Sequence, residues 1–129
     1  MNRILIVDDD EDILETISLI LELCGYDVRS LLTAQNIESE IDDFKPHLIV
    51  LDIVIGNLDG RNICKTLKQN PRHQKLPILM MSAMYQKKDI MGKEACPDEF
   101  LVKPFDINEF VETISMLIGK KKKMDYNIN

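Results

Sequence analysis

Four short stretches are apolar at every position: 4–7 (ILIV), 48–51 (LIVL), 78–81 (ILMM) and 100–102 (FLV). A strand with one face in water alternates apolar with polar residues. An unbroken apolar run needs cover on both faces, as in a parallel sheet with helices on either side. Residues 26–30 (YDVRS) alternate instead and predict a strand at the sheet edge. Helical spacing fills the intervals. Ile13, Ile17, Ile20, Leu21 and Cys24 form one stripe, with Gly25 as its stop. Ile37, Ile41 and Phe44 form a second, with Thr33 as cap and Pro46 just beyond its end. Ile63 and Leu67 form a third, with Asp59 as cap and Pro71 beyond it. Phe110, Ile114, Leu117 and Ile118 form the last, opened by Asp106 and Glu109 as an acid-x-x-Glu cap. The fourth helix is poorly written, with only 84–91 available before Gly92 and Pro97. Five strand–helix repeats predict an α/β fold: a five-stranded parallel sheet in the order 2-1-3-4-5 with helices on both faces. Its topological switch point lies between strands 1 and 3.

Size and composition agree with one domain. The 129 residues are 45% hydrophobic and 29% charged, the balance of an ordinary soluble globule. No apolar run approaches the roughly 20 residues of a membrane span. The first apolar run leads into five acids without a small-residue cleavage site, which argues against a signal peptide. Charge divides the chain. Residues 1–119 carry 21 acids and 12 bases, whereas 120–129 carry four lysines and one aspartate. We therefore expect a domain over 1–119 and a basic, polar tail over 120–129. An acidic body argues against nucleic acid as the main partner. Cys24, Cys64 and Cys96 are odd in number and lack metal-ligand spacing, so they read as reduced thiols of a cytoplasmic protein. His47 and His73 read as structural or surface residues.

The chemistry lies at the strand ends. Asp8 and Asp9 follow the first run, Asp52 the second, Ser82 the third and Lys103 the fourth. In a parallel sheet these positions share the edge where such sheets place ligands. Asp10, Glu11 and Asp12 come later and read as cap and first-turn acids. Two carboxylates at ~5 Å repel by about 3 kcal/mol at an effective dielectric of ~20. Lys103 offers one positive charge against three such acids. A hard divalent cation offsets the rest, and Mg²⁺ fits because it needs only one or two carboxylates beside water and phosphate oxygens. A hydroxyl and an ammonium next to a metal-held carboxylate form a receptor for a phosphoryl group, with a carboxylate as possible nucleophile.

These segments resemble the receiver domain of two-component response regulators, over essentially the whole chain to about residue 119. The pieces are 4–10 (ILIVDDD), 48–60 (LIVLDIVIGNLDG), 78–83 (ILMMSA) and 100–105 (FLVKPF). The resemblance implies a flavodoxin-like receiver fold. It also implies that Asp52 accepts a phosphoryl group from a sensor histidine kinase or a histidine phosphotransfer protein. Asp9, Asp52 and the Val54 carbonyl would ligate Mg²⁺, with Asp8 acting through a bound water. Lys103 would contact a phosphoryl oxygen, and Lys103–Pro104 would be a cis peptide. Ser82 would move to bond the phosphoryl group, and Phe100 would turn inward behind it. Signalling would then run through a downstream protein target or along a phosphorelay. The chain itself would be a monomer or weak homodimer, contacting neither nucleic acid nor membrane directly. With no sequence after residue 129, the chain reads as a stand-alone receiver or one cut from a longer regulator.

Some positions depart from the family. Gly56 stands where Pro is usual, which suggests a more mobile loop. Ser82 replaces the commoner Thr, and Cys96-Pro97 a usual Gly-Ala. The interval from Ser82 to Lys103 is about one residue short, so the fourth helix should be short or irregular. Val54 and Met84, two positions beyond Asp52 and Ser82, offer nothing to orient an attacking water, which predicts slow self-dephosphorylation. The lysines at 120–123 are a solvated helix end or a docking patch. The alternatives are a magnesium-dependent phosphatase of the haloacid dehalogenase type, from Asp8-x-Asp10, and a pseudo-receiver binding module. Five consecutive acids would repel a flavin phosphate, and no GxxxxGK[ST] exists for a P-loop.

Overall fold

The fold alternates strands and helices through the whole length of the computed structural model, which describes residues 1–93 and 97–126, of which 120–126 as backbone only. The elements are β1 (Arg3–Val7), α1 (Glu11–Leu23), β2 (Asp27–Leu31), α2 (Ile37–Phe44), β3 (Leu48–Asp52), β4 (Val54–Ile55), β5 (Leu58–Asp59), α3 (Gly60–Gln69), β6 (Ile78–Ser82), α4 (Lys87–Ile90), β7 (Glu99–Val102) and α5 (Ile107–Tyr126). The main sheet runs β2-β1-β3-β6-β7 and is parallel throughout. With the separate β4–β5 hairpin set aside, this is the predicted five-strand order.

The continuous apolar runs divide by period two between the faces. Leu5, Val7, Ile49, Leu51, Ile78, Met80 and Phe100 pack on one side with Ile37 and Ile41 of α2, Cys64 and Leu67 of α3, and Ile90 of α4. Ile4, Ile6, Leu48, Val50, Leu79, Met81 and Leu101 pack on the other with Leu14, Ile17 and Leu21 of α1 and Phe110, Ile114 and Leu117 of α5. Each fully buried aliphatic side chain contributes roughly 1.5–3 kcal/mol through removal from water. Both faces must be covered for the strands to stay in register, and that register places the strand ends side by side.

Helix boundaries follow local chemistry. Asp10 accepts from the Asp12 and Ile13 amides to open α1, and Gly25, at φ +95°, follows its end. Asp59 caps α3 through the Arg61 amide, and Asp106 accepts from the Asn108 and Glu109 amides at the start of α5. Two expectations are corrected. Thr33 does not cap α2: its hydroxyl accepts from the Gln35 amide in a turn, and the helix starts after Asn36. Cys24 is exposed, and the inward face of α1 uses Leu14 instead. The fourth helix is indeed short, one turn over Lys87–Ile90. Cys96 and the side chains of the lysines at 120–123 lie outside the described residues, although the α5 backbone continues through them to Tyr126.

Gly60 couples the fold to the strand-end edge. Its amide donates to the Ile53 carbonyl at 2.6 Å, and a Cβ there would fall 2.2 Å from the Asp52 carbonyl oxygen. Backbone atoms cannot yield as a flexible side chain can. We expect Gly60→Ala to lower stability in urea denaturation by about 2–3 kcal/mol. Gly119→Ala, with open space around it, should be neutral or gain up to about 1 kcal/mol from helix propensity. Equal stability of the two variants would contradict this packing.

Candidate functional site: an acidic pocket closed by a lysine

The carboxyl ends of β1, β3, β6 and β7 converge. Backbone bonds continue the sheet just past its strands, from the Asp8 amide to the Leu31 carbonyl, Ile53 to Met81 and Lys103 to Ser82. These bonds fix the starting directions of the residues that follow each strand. Asp8, Asp9 and Asp52 each place a carboxylate oxygen within 4.8 Å of the others. Lys103 reaches the same place from the far end of the chain. Its Nζ lies 2.7 Å from Asp8 Oδ2 and 2.9 Å from Asp52 Oδ2. The Lys103–Pro104 peptide is cis.

Each acid has a different environment. Asp8 is fully buried, and its second oxygen accepts from the Asp10 amide at 2.9 Å. Asp52 is 8% exposed, and its Oδ1 accepts from the Val54 amide at 3.3 Å. Asp9 is exposed, and its Oδ2 accepts from the Gly56 amide at 2.8 Å. Burial pushes the Asp52 carboxyl above its ordinary range; Lys103 pulls the other way, and the Asp8 charge adds to the rise. Lys103 is held above its usual value because its bonds and charges with Asp8 and Asp52 outweigh the burial that opposes its charge. A set of hard oxygen donors with more negative charge than one ammonium offsets fits Mg²⁺.

The remaining residues sit around this pocket in distinct ways. Ser82, 1% exposed, ends β6 beside it, and its Oγ accepts from the Met84 amide at 3.0 Å. Val54 and Met84 turn apolar side chains to solvent, 43% and 76% exposed. Phe100 is 2% exposed and already packed in the core beside Ile90 and Met80, so the inward turn expected of it starts from an inward position here. Asp10 points away to cap α1, which removes the Asp8-x-Asp10 pair on which the phosphatase alternative rests.

The stretch around Gly56 forms a hairpin. Val54 pairs with Asp59 and Ile55 with Leu58, leaving Gly56-Asn57 as a two-residue turn with Gly56 at φ +60°. Gly-Asn between Ile55 and Leu58 is a sequence signal for such a turn. Arg61 was also missed. It pairs with Asp59 at 2.7 Å and lies over the Tyr85 ring at 4.7 Å, tying α3 to the segment after β6.

A doubly covered parallel sheet with acids and a lysine gathered at its switch point defines a receiver-type module. The model of the response regulator receiver domain matches residues 4–115, and the chain belongs to that family. It is therefore a phosphoacceptor domain of two-component signalling. Among curated relatives it is 34% identical over 125 residues to the DNA-binding dual master transcriptional regulator RpaA of Synechocystis, covering 96% of this chain and 52% of that protein. It is 35% identical to the alkaline phosphatase synthesis regulatory protein PhoP of Bacillus subtilis, covering 93% and 50%. The chain thus spans about half the length of these relatives. Among solved structures, a CheY-like receiver domain protein from Methanospirillum hungatei superposes with a TM-score of 0.86 at 25% identity, covering 96% of this chain and 98% of that one. A putative response regulator from Chloroflexus aurantiacus gives 0.83 at 31% identity, covering 92% and 98%. The relatives support the receiver reading and give none to the phosphatase or pseudo-receiver. Among the described residues no helix is long and apolar enough to cross a membrane.

The raised Asp52 carboxyl carries a stability consequence. The folded state holds that proton more tightly than the unfolded chain, so this group favours folding at pH below its unfolded value. That contribution is lost as pH rises through its folded value. Without metal, the ionised Asp52 therefore weakens the fold at neutral pH. Asp52→Asn should melt a few degrees above wild type at pH 7 in EDTA, with the gap shrinking as pH falls toward 4. An equal or lower melting temperature at pH 7 would contradict the assignment.

Proposed function

We propose that Asp52 is the phosphoacceptor of this domain and that Lys103, Ser82 and an Mg²⁺ site made by Asp8, Asp9, Asp52 and the Val54 carbonyl serve that transfer. The observation that carries the reading is the Lys103 ammonium bound to both Asp8 and Asp52. It holds the carboxylate in a buried pocket and leaves a cation where a phosphoryl oxygen would arrive. Burial makes the Asp52 oxygen more basic and so a better nucleophile. Attack by that oxygen on the phosphorus of a phosphohistidine forms the acyl phosphate as the phosphorus–nitrogen bond breaks, and the imidazole leaves with the electron pair. Mg²⁺, when bound, supplies charge stabilisation to the transferring oxygens. Lys103 then neutralises the product, and Ser82 donates its hydroxyl to it once the contact with the Met84 amide is exchanged. New contacts to the phosphoryl group bias the segment after β6 toward a second arrangement.

The donor is a sensor histidine kinase or histidine phosphotransfer protein in the cytoplasm, and the signal leaves through protein contacts with a downstream target or along a relay. The domain acts on itself alone, promoting its own phosphorylation and hydrolysis. It works as a monomer or weak homodimer, without direct contact to nucleic acid or membrane. The exposed apolar side chains of Val54 and Met84 leave an attacking water without a polar guide, so the phosphorylated state is long-lived.

Incubation with Mg²⁺ and acetyl phosphate tests both parts. Wild type should gain an acid-stable, base-labile adduct that Asp52→Asn does not form, and Met84→Glu should shorten its lifetime. Equal labelling of Asp52→Asn would end the acceptor assignment. A short lifetime that Met84→Glu leaves unchanged would end the lifetime argument.

A further inference from the structure

The three pocket acids are not held alike. Asp8 and Asp52 share Lys103, and each also takes a backbone amide from two residues further along. Asp9 has neither. Among the described residues its one hydrogen bond is from the Gly56 amide, 47 positions away, at 2.8 Å. That amide sits at the tip of the β4–β5 hairpin, whose first residue is Val54. One bond therefore ties an exposed carboxylate to the segment carrying another proposed ligand.

From this we infer that Gly56 is a positioning residue for the metal pocket: its amide fixes Asp9 in the orientation that leaves the second carboxylate oxygen free for Mg²⁺. The inference rests on reading the pocket as an Mg²⁺ site. Two features of Gly56 make the contact possible. Its amide meets Asp9 with the backbone at φ +60°, a region most L-residues enter only at a cost. It also carries an N–H, which Pro lacks, and Pro is locked near φ −65°. Space is not a constraint, because a Cβ at Gly56 would meet nothing within 4 Å. A residue that tolerates positive φ and keeps its amide should therefore serve as well.

The energetics agree in direction. A free Asp9 side chain would have to be ordered on metal binding, against repulsion from Asp8 and Asp52. An amide already bonded to one oxygen removes part of that ordering and offsets part of that charge. It also favours one-oxygen ligation, which suits the strict octahedral preference of Mg²⁺.

The test is calorimetric titration of the full chain with Mg²⁺ alone, on wild type, Gly56→Asn, Gly56→Ala and Gly56→Pro, beside thermal melts in EDTA. Gly56→Asn should bind within about twofold of wild type. Gly56→Pro should bind about tenfold more weakly, the scale of one lost charge-assisted hydrogen bond. Gly56→Ala, which keeps the amide at a strained φ, should lie between them. In EDTA, Gly56→Ala and Gly56→Pro should melt a few degrees below wild type because of the positive φ, yet stay folded at the titration temperature, so that weaker Mg²⁺ binding is not unfolding. The Gly56 amide resonance should also lie far downfield in metal-free wild type and move upfield in Asp9→Asn, a readout that needs no Pro variant. Equal Mg²⁺ affinity in wild type and Gly56→Pro would overturn the inference, as would equal weakening in Gly56→Ala and Gly56→Pro or an unmoved Gly56 resonance. Failure of wild type to take up Mg²⁺ would instead sink the metal reading beneath it.

Discussion

Lys103 is the constraint around which the pocket is organised. Its ammonium lies within hydrogen-bond distance of Asp8 and Asp52, joining β7 to β1 and β3 across intervals of 95 and 51 residues. Losing Lys103 would leave Asp8 and Asp52 side by side without their shared cation, an error worth several kcal/mol, whereas losing Asp52 alone leaves Lys103 paired with Asp8. The arrangement does not maximise stability. One cation faces three acids, and burial makes ionised Asp52 costly. That residual imbalance is what a metal ion and a phosphoryl group can use.

The sheet makes the imbalance possible. Its three central strands are apolar on both faces, and helices on either side hold them in register with little freedom to slide. The rigid layers bring distant residues to one edge, while the connections beyond that edge carry the chemistry. Two of these connections are themselves tied down. The β4–β5 hairpin is fixed at its tip to Asp9, and Arg61 spans from Asp59 to the Tyr85 ring beyond β6. The segment after Ser82 thus borders the pocket on one side and the short α4 on the other, a natural path from a new phosphoryl contact to the surface.

Much of this was legible in the sequence, for identifiable reasons. Unbroken apolar runs have few uses besides doubly covered strands, and together with the alternating stretch at 26–30 they made strand number, order and the shared edge readable. Asp8, Asp9, Asp52, Ser82 and Lys103 could be placed together because each directly follows such a run. Caps with a side-chain acceptor close to the helix start, such as Asp10 and Asp59, were also readable. Less legible were features set by tertiary contact. Thr33 has the right chemistry for a cap, but the chain makes an extra turn before α2. Cys24 falls on the helical stripe yet is the exposed C-cap just beyond α1, while Leu14, near the start of the helix, is buried. The Gly56 bond to Asp9 depends on a positive φ and a neighbour 47 positions away, and periodicity carries no trace of that. Phe100 could be assigned to β7, but its place in one buried cluster with Ile90 of α4 is a tertiary contact.

The most direct test of the central claim is an amide NMR titration of the metal-loaded chain with beryllofluoride, a phosphoryl mimic. If Asp52, Ser82 and Lys103 form one phosphoryl pocket, the amides of residues 52–54, 82–84 and 103 should shift together, saturate at about one equivalent, and require both Mg²⁺ and the Asp52 carboxylate. The same shifts in Asp52→Asn, or a response confined to surfaces away from these strand ends, would contradict it.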